Sequence, residues 1–210
     1  MKKTFIFVAV VLLALTAVVL PAAEKSIAIG KNSVMSIAGS NVELVVAPQA
    51  SKVTLFAATE LKQFLDEALK SDAKIVRTPT AGKKHFFIGK EFAKQAGVDE
   101  KKLFRDAFYI VNRADGIYIG GIDDGKADPE KQVHRTIWAQ YYERGTLFGV
   151  YDWLERFVGV RFYFPGKLGT IVPAASEINV PQADIFDFPD YDVRRYSMYQ
   201  GSWMDEPKSP

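Results

Sequence analysis

The apolar residues change period once, abruptly, in RGTLFGVYDWLERFVGVRFYFPG, positions 144–166. Before Gly159, the residues Leu147, Val150, Tyr151, Leu154, Phe157 and Val158 recur at three- and four-residue intervals. That spacing predicts one apolar face of a helix, with Asp152, Glu155 and Arg156 elsewhere on its surface. Gly159 supplies the stop. Beyond it Val160, Phe162 and Phe164 alternate with Arg161 and Tyr163, which is strand spacing, until Pro165 and Gly166 break the run.

The rest of the chain shows the same irregular alternation of strand and helix. SIAIGKNSVMSIAG and NVELVVAP read as strands, the second half-buried because Val42, Leu44 and Val46 alternate with Glu43 and Val45. VTLFAATELKQFLDEALK reads as a helix with Phe56, Ala57, Leu61, Phe64, Leu65 and Ala68 inward, capped by Ser51 or Thr54. Two strands, AKIVRT and HFFIGK, are followed by a short helix that ends at Gly97. DAFYIVNRADGIYIGGID reads as a β-hairpin with an Asp-Gly turn signal. Positions 124–140 are polar and aperiodic, a surface loop, and EINVP is a last strand. From position 182 the chain turns acidic and Pro-punctuated, as a linker does. A hairpin among such elements predicts an α/β (α+β-like) fold: a mixed β-sheet with helices packed on it.

Composition narrows the function. Charged residues are 25% of the 210 and the net charge is +2, so no strong field points to nucleic acid or to an anionic membrane. The absence of cysteine excludes disulfides, thiol catalysis and cysteine-based zinc sites. Two histidines, His85 and His134, do not make a multi-histidine metal centre. No metal and no cofactor is expected.

The N-terminus reads as a targeting signal. MKK is basic, TFIFVAVVLLALTAVVL is apolar, and PAAE offers small residues for cleavage near Ala23. Residues 1–23 are expected to be a signal peptide, which sends the remainder to the periplasm or the exterior and leaves no membrane segment after cleavage. The rival reading is an uncleaved anchor, since the apolar run nearly spans a bilayer.

Several candidate sites compete with plainer roles. GGIDDGKA, positions 120–127, fits G-x-x-x-x-G-K but has Ala127 where a magnesium-binding hydroxyl belongs, and acidic residues where phosphate would sit. Asp123, Asp124, Asp128 and Glu130 lack the spacing of an EF-hand, and a solvated turn is the better reading. His134 with Glu143 or Asp124 is an acid–base pair only if the fold joins them. Trp153 lies off the main helix face, either as a platform for a sugar ring or as a contact with a neighbouring element or domain. The docking reading is preferred because helical aromatics are usually packed. Arg161 and Tyr163 stand on the second face of their strand and suit the same role. DFPDYDVRRYSMYQGSW, with Tyr191, Arg194, Arg195, Tyr196, Tyr199 and Trp203, mixes rings and guanidinium groups as sugar sites do.

VTLFAATELKQFL, FFIGK, DAFYIVNRADGIYIGGID, RGTLFGVYDWLERFVGVRFYFPG and FPDYDVRRY occur in that order. Together they resemble the N-terminal domain of alpha-glucuronidase-type glycoside hydrolases, and the equivalent domain of beta-hexosaminidases. The resemblance covers about residues 26–195, and RGTLFGVYDWLE is its most specific part. It implies a non-catalytic accessory domain over residues 24–181. Residues 182–210 then form a linker and the start of a (β/α)₈ catalytic barrel, which is missing from this chain. D-x-P-x-Y-x-x-R resembles the lead-in to the barrel's first strand, where a substrate-binding arginine would match Arg194. Arg195 replaces the glycine usual after it. The resemblance places no catalytic residue here, and the expected partners are the downstream barrel and a polysaccharide. The alternative is a free-standing carbohydrate-binding or protein-interaction domain.

Overall fold

The structure is a computed structural model that describes residues 24–132 and 141–191. Its strands are β1 (Ser26–Ile37), β2 (Val42–Val46), β3 (Lys74–Val76), β4 (Lys84–Ile88), β5 (Phe108–Arg113), β6 (Gly116–Gly121), β7 (Arg161–Phe162), β8 (Thr170–Ile171) and β9 (Ile178–Asp187). Its α-helices are α1 (Lys52–Leu69), α2 (Ala93–Ala96), α3 (Pro129–Gln132) and α4 (Gly145–Trp153). Seven strands form one sheet in the order β1-β9-β5-β6-β4-β2-β3, and β7 pairs with β8 separately. The β6-β4-β2-β3 half is parallel, and the β1-β9-β5-β6 half is antiparallel. The mixed α/β sheet expected from the sequence is therefore present.

Both faces of the central strands β2, β4, β5 and β6 are covered. α1 and α4 pack on one face against Leu44, Phe86, Ile88, Ile110 and Ile119. On the other, α2 and its flanking turns cover Val45, Phe87, Tyr109, Val111 and Tyr118. β9 alternates between core and water, but in these central strands alternation sorts residues between two cores. For that reason β2 is not half-buried as its pattern predicts: all five of its residues are buried. Glu43, on the second face, accepts from the Thr80 amide at 2.9 Å and lies 3.5 Å from His85 Nε2. Burial opposes its ionisation, but the Thr80 hydrogen bond and His85 outweigh it and hold its carboxyl below the ordinary range.

α1 forms where predicted, and Ser51 is the cap, accepting from the Thr54 amide at 3.0 Å. The β5–β6 hairpin also forms, but its central residues are Ala114 and Asp115, and Gly116 pairs with Arg113 inside the ladder. Gly116 is small for another reason: a Cβ there would sit 2.8 Å from the Phe87 ring.

The helix at 145–158 buries the expected face and more: Leu147, Val150 and Leu154 are buried, and Tyr151, Phe157 and Val158 pack half-buried against the same core. After Trp153 the helix widens into a π turn, Leu154–Val158, closed by Gly159 N donating to Leu154 O at 3.0 Å. The residues nearest the sheet include Gly145, Thr146, Gly149, Val150, Trp153 and Leu154, all buried. This stripe is helical in period, but small residues occupy half of it. A face drawn through the large side chains alone shares Val150 and Leu154 with it but leaves out its small residues and Trp153. Gly149 marks the close approach, since a Cβ there would lie 2.9 Å from Ile119 Cγ2.

Two further expectations are corrected. β7 has two residues, and Phe164 is exposed rather than sharing the inward side of Val160 and Phe162. Residues 182–187 are not linker but the second half of β9, which lies between β1 and β5. Pro181 is tolerated because it faces Ser33 at an irregularity in β1, where a lost N–H costs little. The acidic residue Asp187 is matched by Lys25 at 3.3 Å and Arg156 at 3.9 Å. Within the expected loop at 124–140, Pro129–Gln132 form one helical turn, and residues 133–140 lie outside the described residues.

Candidate functional site

Polar side chains converge where β4 and β6 end, beneath the N-termini of α1 and α4. Asp123 follows β6. Its Oδ2 accepts from Thr54 Oγ1 at 2.7 Å and its Oδ1 from the Thr146 amide at 3.0 Å. Thr54 Oγ1 is 3.0 Å from Ser51 Oγ. Thr146 Oγ1 in turn accepts from the Gly121 amide at 3.1 Å. Glu91 approaches from the turn after β4, and its Oε2 is buried without a hydrogen-bond partner among the described residues. Tyr109 donates to Gly89 O at 2.9 Å from β5. Burial raises the proton affinity of Asp123 and of Tyr109, and Glu91 adds to both through its charge.

Glycines let these elements touch. A Cβ on Gly120 would meet Gly89 O at 2.6 Å, and one on Gly121 would meet Ala107 O at 2.4 Å. These are packing glycines. The amides of Lys126 and Ala127 are turned onto Asp124 Oδ1, at 2.7 and 3.1 Å. GGIDDGKA is therefore not arranged as a phosphate cradle, and the helix after it is one turn long. Asp128 pairs with Lys52 at 2.7 Å. Among the described residues no three His, Asp or Glu side chains are grouped to hold a metal ion.

A shallow groove of about 230 Å³ lies between α1 and α3, lined by Lys52, Leu55, Phe56, Thr59, Asp128, Pro129 and Glu130. Of its charged lining, Lys52 pairs with Asp128 and Glu130 is exposed, so the groove does not bring two free carboxylates together.

The predicted docking residues separate. Trp153 is 0% exposed, with its ring edge-on to Phe86 at 4.8 Å and Nε1 donating to Asn112 Oδ1 at 3.2 Å. It is core, and stacks on no sugar and touches no outside domain. Arg161 is exposed and donates to Glu155 O and Val160 O, both at 2.8 Å, closing the end of the π turn. Tyr163 is 69% exposed. Around it, Phe164, Leu168 and Ile171 are also exposed, so the β7–β8 hairpin is an apolar flap. Sequence reading missed Leu168 and Ile171, whose signal was weak: single apolar residues in a Gly- and Pro-rich stretch. Arg194, Arg195, Tyr196, Tyr199, Trp203 and His134 lie outside the described residues, as do residues 1–23. No helix among the described residues is long and apolar enough to cross a membrane.

No protein family's sequence profile matches the chain, and no curated protein matches it. Solved structures similar to it include BtGH115A, a family GH115 4-O-methyl-alpha-glucuronidase with specificity for decorated arabinogalactans. Identity is 16% and the TM-score 0.40, over 68% of this chain and 18% of that one. CpGH84D is similar at 16% identity and TM-score 0.43, over 80% of this chain and 23% of that one. A GH138 enzyme targeting pectin rhamnogalacturonan II is similar at 18% identity and TM-score 0.31, over 55% of this chain and 13% of that one. The matches span less than a quarter of each of these proteins. All three are glycoside hydrolases, at identities too low to place this chain in any one family.

Proposed function

We propose that this chain is the non-catalytic N-terminal accessory domain of an exported, alpha-glucuronidase-like glycoside hydrolase that breaks down polysaccharide. The motif order from VTLFAATELKQFL to FPDYDVRRY supports the reading, and the basic-then-apolar leader supports export. The observation that carries it is the flap. Tyr163, Phe164, Leu168 and Ile171 are 69%, 57%, 93% and 53% exposed on one short hairpin. Clustered exposed apolar side chains mark a surface meant to be covered. In this reading a catalytic barrel covers it, Arg161 and Tyr163 belong to the contact, and Arg194 is the substrate-binding arginine at the barrel's entry.

An assay of the chain with aryl glycosides and aryl glucuronides tests the reading. No turnover is expected; turnover that survives repurification would sink it. A second reading, a free-standing carbohydrate-binding module, is favoured by the open rings of Tyr163 and Tyr191, the latter 75% exposed. Glycan-array binding that is lost in Tyr163→Ala would replace the first reading with this one.

A further inference from the structure

Asp123 is half-buried, and its set of partners is unusual for a carboxylate partly withdrawn from water. Its oxygens receive one backbone amide, from Thr146, and one hydroxyl, from Thr54. No cation pairs with it among the described residues. Buried carboxylates that stay ionised normally have a cation or several N–H donors. The groups that face it also do not supply positive charge. Glu91 comes from the turn after β4 and Tyr109 from β5. On α1 the nearby cation, Lys52, is committed to Asp128. The first two turns of α4 carry no charged side chain. Arg144, paired backbone to backbone with Asp123, lays its guanidinium over the Tyr142 ring at 4.5 Å.

The hydroxyl chain behind Asp123 accepts either polarity. With Asp123 ionised, Thr54 Oγ1 donates to it, and Ser51 Oγ donates to Thr54 Oγ1. With Asp123 protonated, its Oδ2–H donates to Thr54 Oγ1, which then donates to Ser51 Oγ. In both arrangements Ser51 Oγ still accepts from the Thr54 amide and caps α1. Neither state leaves an orphaned group, and Ser51 is half-exposed, so the chain reaches solvent.

We propose that Asp123 is a half-buried proton-binding latch: its carboxyl holds the N-termini of α1 and α4 together in both protonation states, because the Thr54–Ser51 hydroxyl pair reverses its donor direction when a proton arrives. The clamp therefore stays closed on acidification. The sign of the linkage follows from burial, which raises the proton affinity of the folded state at this site. The contribution to stability is fully present below the ordinary aspartate value of about 3.9 and is lost as pH rises through the higher folded value.

The test is a carboxyl-carbon NMR titration of the full chain labelled at aspartate. One resonance is expected to titrate above the ordinary value and to vanish in Asp123→Asn. If that variant does not fold, through-bond assignment on the unsubstituted chain identifies the resonance. An Asp123 midpoint at or below about 3.9 overturns the latch. Thr54→Val removes the donor that favours the ionised form, so the midpoint moves further up. An unmoved or lowered midpoint in that variant overturns the relay through Thr54. Neither outcome depends on the glycosidase reading.

Discussion

Trp153 Nε1 donates to Asn112 Oδ1 at 3.2 Å in the dry interface between α4 and β5. Asn112 is itself 0% exposed, and its Nδ2 donates to Pro181 O at 3.2 Å. One amide side chain thus ties the helix to two strands, including the one that faces an irregularity in β1. Trp153→Phe keeps most of the ring and strands Asn112 Oδ1, a loss of about 1–3 kcal/mol. Trp153→Ala adds a cavity and is expected to cost about 3–5 kcal/mol. Chemical denaturation of the two variants checks the order: equal losses would mean that the packing of the ring contributes nothing beyond the hydrogen bond.

Gly149 sits on the same interface. Alanine favours a helix interior over glycine by about 1 kcal/mol. Here its Cβ would lie 2.9 Å from Ile119 Cγ2 and 3.3 Å from Phe108 Cβ. Overpacking costs about 1–3 kcal/mol, so Gly149→Ala is expected to destabilise despite its better propensity. A raised melting temperature would show that α4 can lift off the sheet at no cost.

The flap separates surface from framework. Leu168 is 93% exposed, and Leu168→Ser is expected to change stability by less than about 0.5 kcal/mol. Gly169, its neighbour, is buried, and a Cβ there would fall 2.0 Å from Phe164 O. Gly169→Ala must therefore open the turn, and limited proteolysis should cut the flap faster in that variant than in Leu168→Ser. Equal cutting rates would contradict the close contact.

Glu43 gives the opposite pH sign to Asp123. Its folded carboxyl titrates below the ordinary range because the Thr80 amide and His85 favour the ionised form over the burial that opposes it. Its contribution is present above the ordinary glutamate value of about 4.3 and is lost as pH falls through the lower folded value. Glu43→Gln keeps an acceptor for the Thr80 amide and should flatten the acid side of the stability profile. An unchanged acid limb in melts taken from neutral pH downward would remove Glu43 from that account.

The order of elements was legible from residue patterns. The periodicity of 52–69, the cap at Ser51, the stop at Gly97 and the hairpin around 114–115 are set by neighbours in sequence, and the structure has each of them. What failed was reasoning about faces. Alternation along β2 hides that α2 and its turns cover the second side of the sheet. The burial of Trp153 was missed because the inner edge beside it is built from Gly145, Thr146 and Gly149, which carry no hydrophobic signal. Residues 182–187 look like linker because their carboxylates are charged, yet Lys25 and Arg156 come from distant positions to pair with Asp187. The polar cluster at Asp123 was read as a wet turn for the same reason: Thr54 is 69 residues away, and only folding brings it within 2.7 Å.

The sequence by itself therefore determined the local elements and the mixed α/β class, since period, capping and turn chemistry act over a few residues. The tertiary structure decided which side chains are surface. It buried Trp153, drew Asp123 half out of water, and exposed Tyr163, Phe164 and Leu168. Burial depends on what a distant segment brings against a side chain, and no local pattern carries that information.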